Sequence, residues 1–287
     1  MKDYLKLMRV HHYVKNLLIF AALACSGQLF DMARLIPAVI GFFAFCFISS
    51  AVYVCNDIQD KEKDAAHPVK CHRPIASGKV SVRSAWFLFA ALLVLALGLN
   101  LLIPHIASTA LLLLYFLLNV GYSKGWKHVP LLDVTVLVSG FLIRILYGAV
   151  LTGVTVSSWL YLTVIAVSFY FAFGKRRNEL IRGGGENTRT VLKHYSVAFL
   201  DKNMYMCLTL ANAFYALWSM DAATVAAYGG RAVVFTSPLV MLITMKYSLA
   251  IEGNSDGDPV EVLLHDRILF SLCVLYVLIM FGLLYIG

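Results

Sequence analysis

Charged residues are scarce in this sequence of 287 residues, of which they make up only 14%. A soluble domain has about 25% charged and 45–50% apolar residues, whereas 60% of this chain is hydrophobic and its mean hydropathy is +0.78. Long hydrophilic blocks between the apolar runs are also missing. Because a membrane-spanning helix needs about 20 consecutive apolar residues, these shortages exclude a soluble protein and predict one all-α transmembrane domain over residues 1–287.

Two further absences narrow the class. The apolar runs do not alternate in polarity, which excludes an outer-membrane barrel. The cysteines show no CxxC spacing, and five of the six lie in apolar runs, so we expect packing residues and not metal ligands or disulfides. They are residues 25, 46, 55, 71, 207 and 273.

The apolar runs predict nine transmembrane helices, with edges placed to within a few residues. They cover about residues 14–30, 35–55, 84–103, 104–122, 132–152, 154–174, 203–220, 232–251 and 268–286. Of the 24 Lys and Arg residues, 20 then fall on the side of the N-terminus and two on the other. This asymmetry predicts a cytoplasmic N-terminus and cytoplasmic long loops, and it explains the net charge of +8 without nucleic acid as a partner.

The segment after the second span carries the densest polar pattern. If the helix of that span continues, its carboxylates are three and four residues apart on one face, where their repulsion favours a bound cation. Hard oxygen ligands in this number suit Mg²⁺ together with substrate phosphate. The alternative is a solvated helix end with Lys61 and Lys63 as ion-pair partners. The candidate ligands are Asn56, Asp57, Asp60 and Asp64.

Two cations follow this acidic face. Lys70 and Arg73 come after it with His-Pro and Arg-Pro steps, which end the helix and turn the chain back. Carboxylates that hold a metal, followed closely by cations that bind phosphate, are typical of a site for a diphosphate ester.

The next cytoplasmic loop leads into a second polar pattern, with Tyr122, Lys127 and Asp133 before or at the start of the fifth span and Arg144 inside it. An ionisable residue within a span is costly, and it is a candidate for function. Arg144 could instead pair with an acidic residue for structural reasons. Lys246 lies close to a span end, where it can reach the interface, and we interpret it as structural.

The third and fourth cytoplasmic loops are less specific. In the third, Arg177, Arg182 and Lys193 are interpreted as ordinary positively charged loop residues. The fourth, from residue 256 to 261, lacks the full oxygen spacing of an EF-hand calcium loop.

The pattern NDxxDxxxD from Asn56 to Asp64, followed by HPxKxxRPIASG from His67 to Gly78, resembles the UbiA superfamily of intramembrane prenyltransferases. Within it, the chain is most similar to the decaprenyl-phosphate phosphoribosyltransferase subgroup. The subgroup resemblance rests on Lys15-Asn16, YSxxxK from Tyr122 to Lys127, Asp133, FLIR ending at Arg144, KRRxEL from Lys175, RxxLxxY from Arg189 to Tyr195, and GDPxEVLLxDR from Gly257.

The resemblance implies an enzyme of the bacterial plasma membrane that uses Mg²⁺, phosphoribosyl pyrophosphate and a polyprenyl phosphate, among membrane lipids. Its oligomeric state stays open. The implied catalytic residues are Asp57, Asp60 and Asp133. The implied substrate-binding residues are Lys15, Asn16, Lys70, Arg73, Tyr122, Lys127, Arg144, Lys175, Arg176, Glu179, Arg189 and Tyr195.

Two alternatives are weighed against this function. An aromatic prenyltransferase of the same superfamily would use a prenyl diphosphate and usually a second DxxxD motif, but Leu137 stands four residues after Asp133. A transporter would be expected to place ionisable groups near the middle of the membrane, whereas here they cluster in cytoplasmic loops, with Arg144 as the one deep exception. Both features favour phosphoribosyl transfer.

Overall fold

The structure, a computed structural model, describes residues 2–68, 70–103, 105–182, 190–252, 257 and 259–286. All regular elements within these ranges are helices, as the long apolar runs predict. The α-helices are α1 (Lys2–Met8), α2 (Ala21–Cys25), α3 (Met32–Gln59), α4 (Lys61–Ala65), α5 (Val82–Leu101), α6 (Ile106–Lys124), α7 (Leu132–Thr152), α8 (Ser158–Arg182), α9 (Val197–Met220), α10 (Ala222–Ala227), α11 (Ser237–Glu252), α12 (Pro259–His265) and α13 (Arg267–Tyr285). Short 3₁₀ segments and one longer one, Val10–Phe20, connect them: Lys70–His72, Trp126–His128, Thr190–His194 and Ala232–Thr236.

Seven helices among the described residues are long and apolar enough to cross a membrane, so the chain is an integral membrane protein. They correspond to seven of the nine expected spans, and comprise Met32–Gln59, Val82–Leu101, Ile106–Lys124, Leu132–Thr152, Ser158–Arg182, Ala232–Glu252 and Arg267–Tyr285. The first expected span, 14–30, overlaps a shorter apolar helix, Val10–Cys25, that begins and ends earlier. The expected span 203–220 lies within α9, which has 24 residues.

The first of two compact units comprises Met1–Leu23, Leu29–Lys127 and Ile143–Val154. Asp31 caps the start of α3 by accepting a hydrogen bond from the backbone N–H of Ala33, and α3 then packs mainly along α5. A glycine lets backbones meet in this unit, because a Cβ added to Gly148 would lie 1.8 Å from the carbonyl oxygen of Ile19. The first apolar segment therefore packs directly against the second half of α7.

The second unit comprises Ala24–Gln28, His128–Leu142 and Thr155–Gly287, and is built mainly on the packing of α8 against α9. Ser196 caps α9 by accepting a hydrogen bond from the N–H of Phe199. Asp266 caps α13 and also forms an ion pair with Lys246, at 2.6 Å. The sequence interprets Lys246 as structural because it can reach the interface, whereas the structure gives it an ion-pair partner, Asp266.

All six cysteines are free thiols in the structure. Pro104, where the third and fourth expected spans meet, lies outside the described residues. Gly153, between the fifth and sixth expected spans, has a φ of +64°, a left-handed conformation that favours glycine.

Candidate functional site

The acidic face predicted after the second span forms at the junction of α3 and α4. Asp60 separates the two helices, but its N–H donates to the carbonyl of Asn56 (2.9 Å), and the N–H of Asp64 donates to the carbonyl of Asp60 (2.8 Å). The helical spacing is therefore retained across the junction. Asp57 and Asp64 are both buried, each with an exposed fraction of 3%.

Two arginines neutralise these buried carboxylates. Arg73 donates from Nη1 to Oδ1 of Asp57 (3.1 Å) and to Oδ2 of Asp64 (2.6 Å). Arg9 donates from Nη2 to the same Oδ1 of Asp57, at 2.8 Å. Burying charges is tolerable when they are paired and hydrogen-bonded, and the turns at residues 70–78 place Arg73 where it pairs with both carboxylates.

The end of α6 and the segment that follows it supply the partners of the other two candidate ligands. Lys127 places Nζ 3.2 Å from Oδ2 and 3.3 Å from Oδ1 of Asp60. Ser123 donates from its hydroxyl to Oδ1 of Asn56, at 3.0 Å. Tyr122 belongs to the same segment and is partly buried. Within the first unit, the structure thus brings Lys127 to the acidic motif, although the sequence places them in different loops.

The donors at this helix end fit a magnesium ion that is also bound by phosphate. They are carboxylate and amide oxygens, which are hard ligands. Across the described part of the chain, no three His, Cys, Asp or Glu side chains are grouped so that they could hold a metal by themselves. Mg²⁺ usually takes one or two protein carboxylates and completes its octahedron with water and substrate phosphate, so a complete protein cage is unnecessary.

Arg144 is buried in the first unit, in the second half of α7, with an exposed fraction of 6%. Its Nε donates to Oδ1 of Asn16 (2.8 Å), and its Nη2 donates to the hydroxyl of Tyr115 (3.2 Å). The guanidinium carbon lies 4.8 Å from the ring centre of Phe45 and 5.0 Å from that of Tyr115. These contacts of Arg144 come from an amide, a phenol and two aromatic faces, which stabilise a buried cation.

Asp133 occupies the centre of a second cluster, which lies in the second unit. Its Oδ2 accepts from Nε of Arg176 at 2.6 Å, and both side chains are completely buried. Its Oδ1 accepts from the hydroxyl of Tyr195 at 2.7 Å. Arg176 also donates from Nη1 to Oε2 of Glu179, at 2.6 Å. Four residues from three separate parts of the resemblance therefore form one network.

The backbone before α7 fixes this network. Leu131 has a φ of +66°, an uncommon conformation for a residue with a side chain, and its N–H donates to the hydroxyl of Tyr195 at 2.7 Å. Burial, and next the hydrogen bond to Asp133, raise the pKa of Tyr195 to about 12. Tyr195 therefore remains a neutral hydroxyl that donates to Asp133 at physiological pH.

Lys175 lies beside the second cluster and has a close backbone neighbour. Gly257 has a φ of +79°, and a Cβ at this position would lie 2.9 Å from the Cα of Lys175. The start of the GDPxEVLLxDR motif thus packs on the KRRxEL motif.

Arg189, a predicted binding residue, lies outside the described residues, as do 253–256 and 258. Arg177 pairs with Asp201 at 2.5 Å.

Two further predicted residues, Lys15 and Lys70, lie on other segments of the first unit. Lys15 is partly buried on the Val10–Phe20 segment, next to Asn16. Lys70 directs its backbone N–H to Nδ1 of His67 at 3.4 Å, and its side chain is partly exposed. Arg9 and Ser123 were not among the predicted site residues, although Ser123 belongs to the YSxxxK motif. The sequence feature that could have indicated Arg9 is its position as a basic residue shortly before the first apolar run.

A family model described as the UbiA prenyltransferase family matches residues 17–272 of this chain. The decaprenyl-phosphate phosphoribosyltransferase of Corynebacterium glutamicum is 32% identical over 278 residues, covering 95% of this chain and 84% of the relative. The enzyme of the same name from Mycolicibacterium smegmatis is 32% identical over 283 residues, covering 92% and 87%.

Solved structures show the same fold. A UbiA homologue from Archaeoglobus fulgidus bound to GPP and Mg²⁺ superposes with a TM-score of 0.74 at 20% identity, covering 98% of this chain and 99% of that one. An apo UbiA homologue from Aeropyrum pernix gives a TM-score of 0.65 at 18% identity, with 96% and 98% covered.

Proposed function

Because this chain belongs to the UbiA prenyltransferase family, we propose that it transfers the 5-phosphoribosyl group from phosphoribosyl pyrophosphate to a polyprenyl phosphate of the decaprenyl type. The observation that carries this proposal is the similarity to two decaprenyl-phosphate phosphoribosyltransferases along nearly the whole chain. Leu137, in place of the second carboxylate of a DxxxD motif, supports a donor other than a prenyl diphosphate.

The reaction forms one bond and breaks another at C1 of the ribose. An oxygen of the polyprenyl phosphate attacks C1 while the bond from C1 to the pyrophosphate oxygen breaks. The acceptor is already an anion, so the attack needs no strong general base. Attack opposite the leaving group inverts C1 and gives a β-linked phosphoribosyl-phosphopolyprenol and pyrophosphate.

In this reaction, Asp57 and Asp60 are proposed to hold Mg²⁺, with Asn56 and Asp64 as further ligands. The bound ion would neutralise charge on the departing pyrophosphate. The ligands lie at the helix end where Arg73 and Lys127 already pair with the carboxylates. Guanidinium and ammonium groups in that position can also bind phosphate oxygens.

The other residues are proposed either to position Asp133 or to bind one of the two substrates. Arg176 and Tyr195 hold Asp133, since both contact its carboxylate in the buried network. Lys70 and Lys175 are proposed to bind donor phosphates. The roles of the remaining residues in binding substrate stay predictions from the resemblance: Lys15, Asn16, Tyr122, Glu179 and Arg189.

Incubation with labelled phosphoribosyl pyrophosphate tests the function. We expect the purified protein to transfer the label to decaprenyl phosphate when Mg²⁺ is present, and to release pyrophosphate. A parallel reaction with a prenyl diphosphate and an aromatic acid should give no product. Product only in that parallel reaction would instead establish an aromatic prenyltransferase, and product in neither would contradict the enzymatic assignment.

Arg144 is proposed to bind the phosphate of the lipid, and a conservative substitution tests this role. Arg144→Lys keeps the charge but loses the planar donor geometry, so we expect the KM for polyprenyl phosphate to rise about tenfold. The control is Arg83→Lys, at an exposed arginine at the start of α5. If Arg144→Lys lowers only the melting temperature and leaves KM unchanged, Arg144 has a structural role.

We also propose that Val10–Cys25 and α9 cross the bacterial plasma membrane, which gives nine spans with a cytoplasmic N-terminus. In a background without native cysteines, Lys2→Cys and Ile286→Cys should then be accessible from opposite sides. A membrane-impermeant maleimide should label Ile286→Cys in intact cells and Lys2→Cys only after lysis. Labelling of both from one side would contradict an odd number of spans.

A further inference from the structure

Arg9 has a backbone conformation that its surroundings must hold in place. It lies between α1 and the Val10–Phe20 segment, with φ and ψ of 52° and 49°. A residue with a side chain is uncommon in this left-handed region, because its Cβ crowds the neighbouring carbonyl oxygen. Such a conformation is tolerated where other interactions fix the residue, and it often accompanies a functional role.

Two contacts hold the side chain of Arg9 in the first unit. Its guanidinium carbon lies 4.6 Å from the ring centre of Tyr53, and its Nη2 donates to Oδ1 of Asp57. Both partners belong to α3, four residues apart and thus on one helix face. The ring covers the face of the guanidinium group, so its donors lie along the remaining edge.

The charged groups in this cluster differ in exposure. The Asp57 side chain is 3% exposed, whereas those of Arg9 and Arg73 are 21% and 27% exposed. A ligand that arrives from solvent therefore meets the two guanidinium groups before it meets the carboxylate. Groups that present only N–H donors select an anion.

Most of these donors have no hydrogen-bond partner among the described residues. Within the described residues, Arg9 donates hydrogen bonds only from Nη2, and Arg73 donates only from Nη1. Both arginines donate to the same oxygen, Oδ1 of Asp57, so the two guanidinium groups meet at one point. Two planar donor groups around one point match the oxygens of a phosphate.

We propose that Arg9 acts with Arg73 to bind a phosphate group of the soluble donor, so that Arg9 is a further substrate-binding residue. This inference rests on the proposed function, because phosphoribosyl pyrophosphate is the soluble donor in that reaction. The donor is favoured over the lipid phosphate since Asp57, to which both arginines bind, is the residue proposed to hold the metal on the pyrophosphate.

Binding without turnover tests the role of Arg9. The dissociation constants of phosphoribosyl pyrophosphate and inorganic pyrophosphate are measured by calorimetry on the full-length protein in detergent, with Mg²⁺ and without lipid acceptor. Arg9→Gln should weaken both about tenfold or more, and Arg9→Lys should weaken them less. Arg83→Gln, which removes an exposed arginine of the same unit, should change neither.

A second variant covers the case in which Arg9→Gln does not fold. Tyr53→Leu retains Arg9 but removes the ring that holds its guanidinium group, so pyrophosphate binding should weaken about threefold. Unchanged dissociation constants in a folded Arg9→Gln protein, or in Tyr53→Leu when that is the variant that folds, would overturn the inference. A loss restricted to decaprenyl phosphate in vesicles would overturn it too.

These outcomes are separable from those for the proposed function. If the unaltered protein binds phosphoribosyl pyrophosphate and Arg9→Gln binds it equally well, the role of Arg9 fails while the function stands. If the unaltered protein binds pyrophosphate in an Arg9-dependent way but not phosphoribosyl pyrophosphate, the phosphate site is supported and the proposed donor is contradicted.

Discussion

Asp57→Asn is expected to lower kcat by about a hundredfold or more, because it removes a negatively charged metal ligand from the buried helix end. The amide has nearly the same volume as the carboxyl, so packing around residue 57 is preserved. Arg73 retains Asp64 as an ionic partner in this variant. Asp60→Asn should behave similarly, since Asp60 is the other carboxylate proposed to hold the metal.

The measurement is kcat at saturating substrates across a range of Mg²⁺ concentrations. We expect both variants to need more Mg²⁺ than the unaltered enzyme. Asp31→Asn is the matched control, because Asp31 caps the opposite end of α3 and asparagine caps a helix equally well. Full activity of both site variants in the absence of divalent metal would refute the metal-binding role.

Arg176→Met should destabilise the protein by about 3–5 kcal/mol, since it leaves the buried carboxylate of Asp133 without its cation. The hydrogen bond from Tyr195 remains, but a neutral hydroxyl cannot offset the charge. Adding Asp133→Asn to Arg176→Met should recover part of the loss, because the second substitution removes the uncompensated charge.

Thermal unfolding in detergent measures this effect. The neighbouring Arg177→Met provides the comparison, because the ion pair of Arg177 with Asp201 is partly exposed and is expected to contribute about 1 kcal/mol or less. Equal melting temperatures for Arg176→Met and Arg177→Met would show that the buried pair contributes no special stability.

The sequence by itself determined the membrane class and the local order of the first motif. Long apolar runs require helices in lipid, since every backbone polar group must be satisfied within the segment. The spacing of Asp57, Asp60 and Asp64 also follows from local geometry, because three- and four-residue steps return to one face of any α-helix. The structure retains this spacing across the junction at Asp60.

The partners of the charged residues were decided only by tertiary structure. Arg9 is 48 residues from Asp57, Arg176 is 43 from Asp133, and Arg144 is 128 from Asn16. Helical periodicity places a side chain on a face but does not specify which distant helix that face meets. Which helices pack together depends on how their side chains and backbones fit. At Gly148, for example, the absence of a Cβ allows the backbone of Ile19 to pack closely.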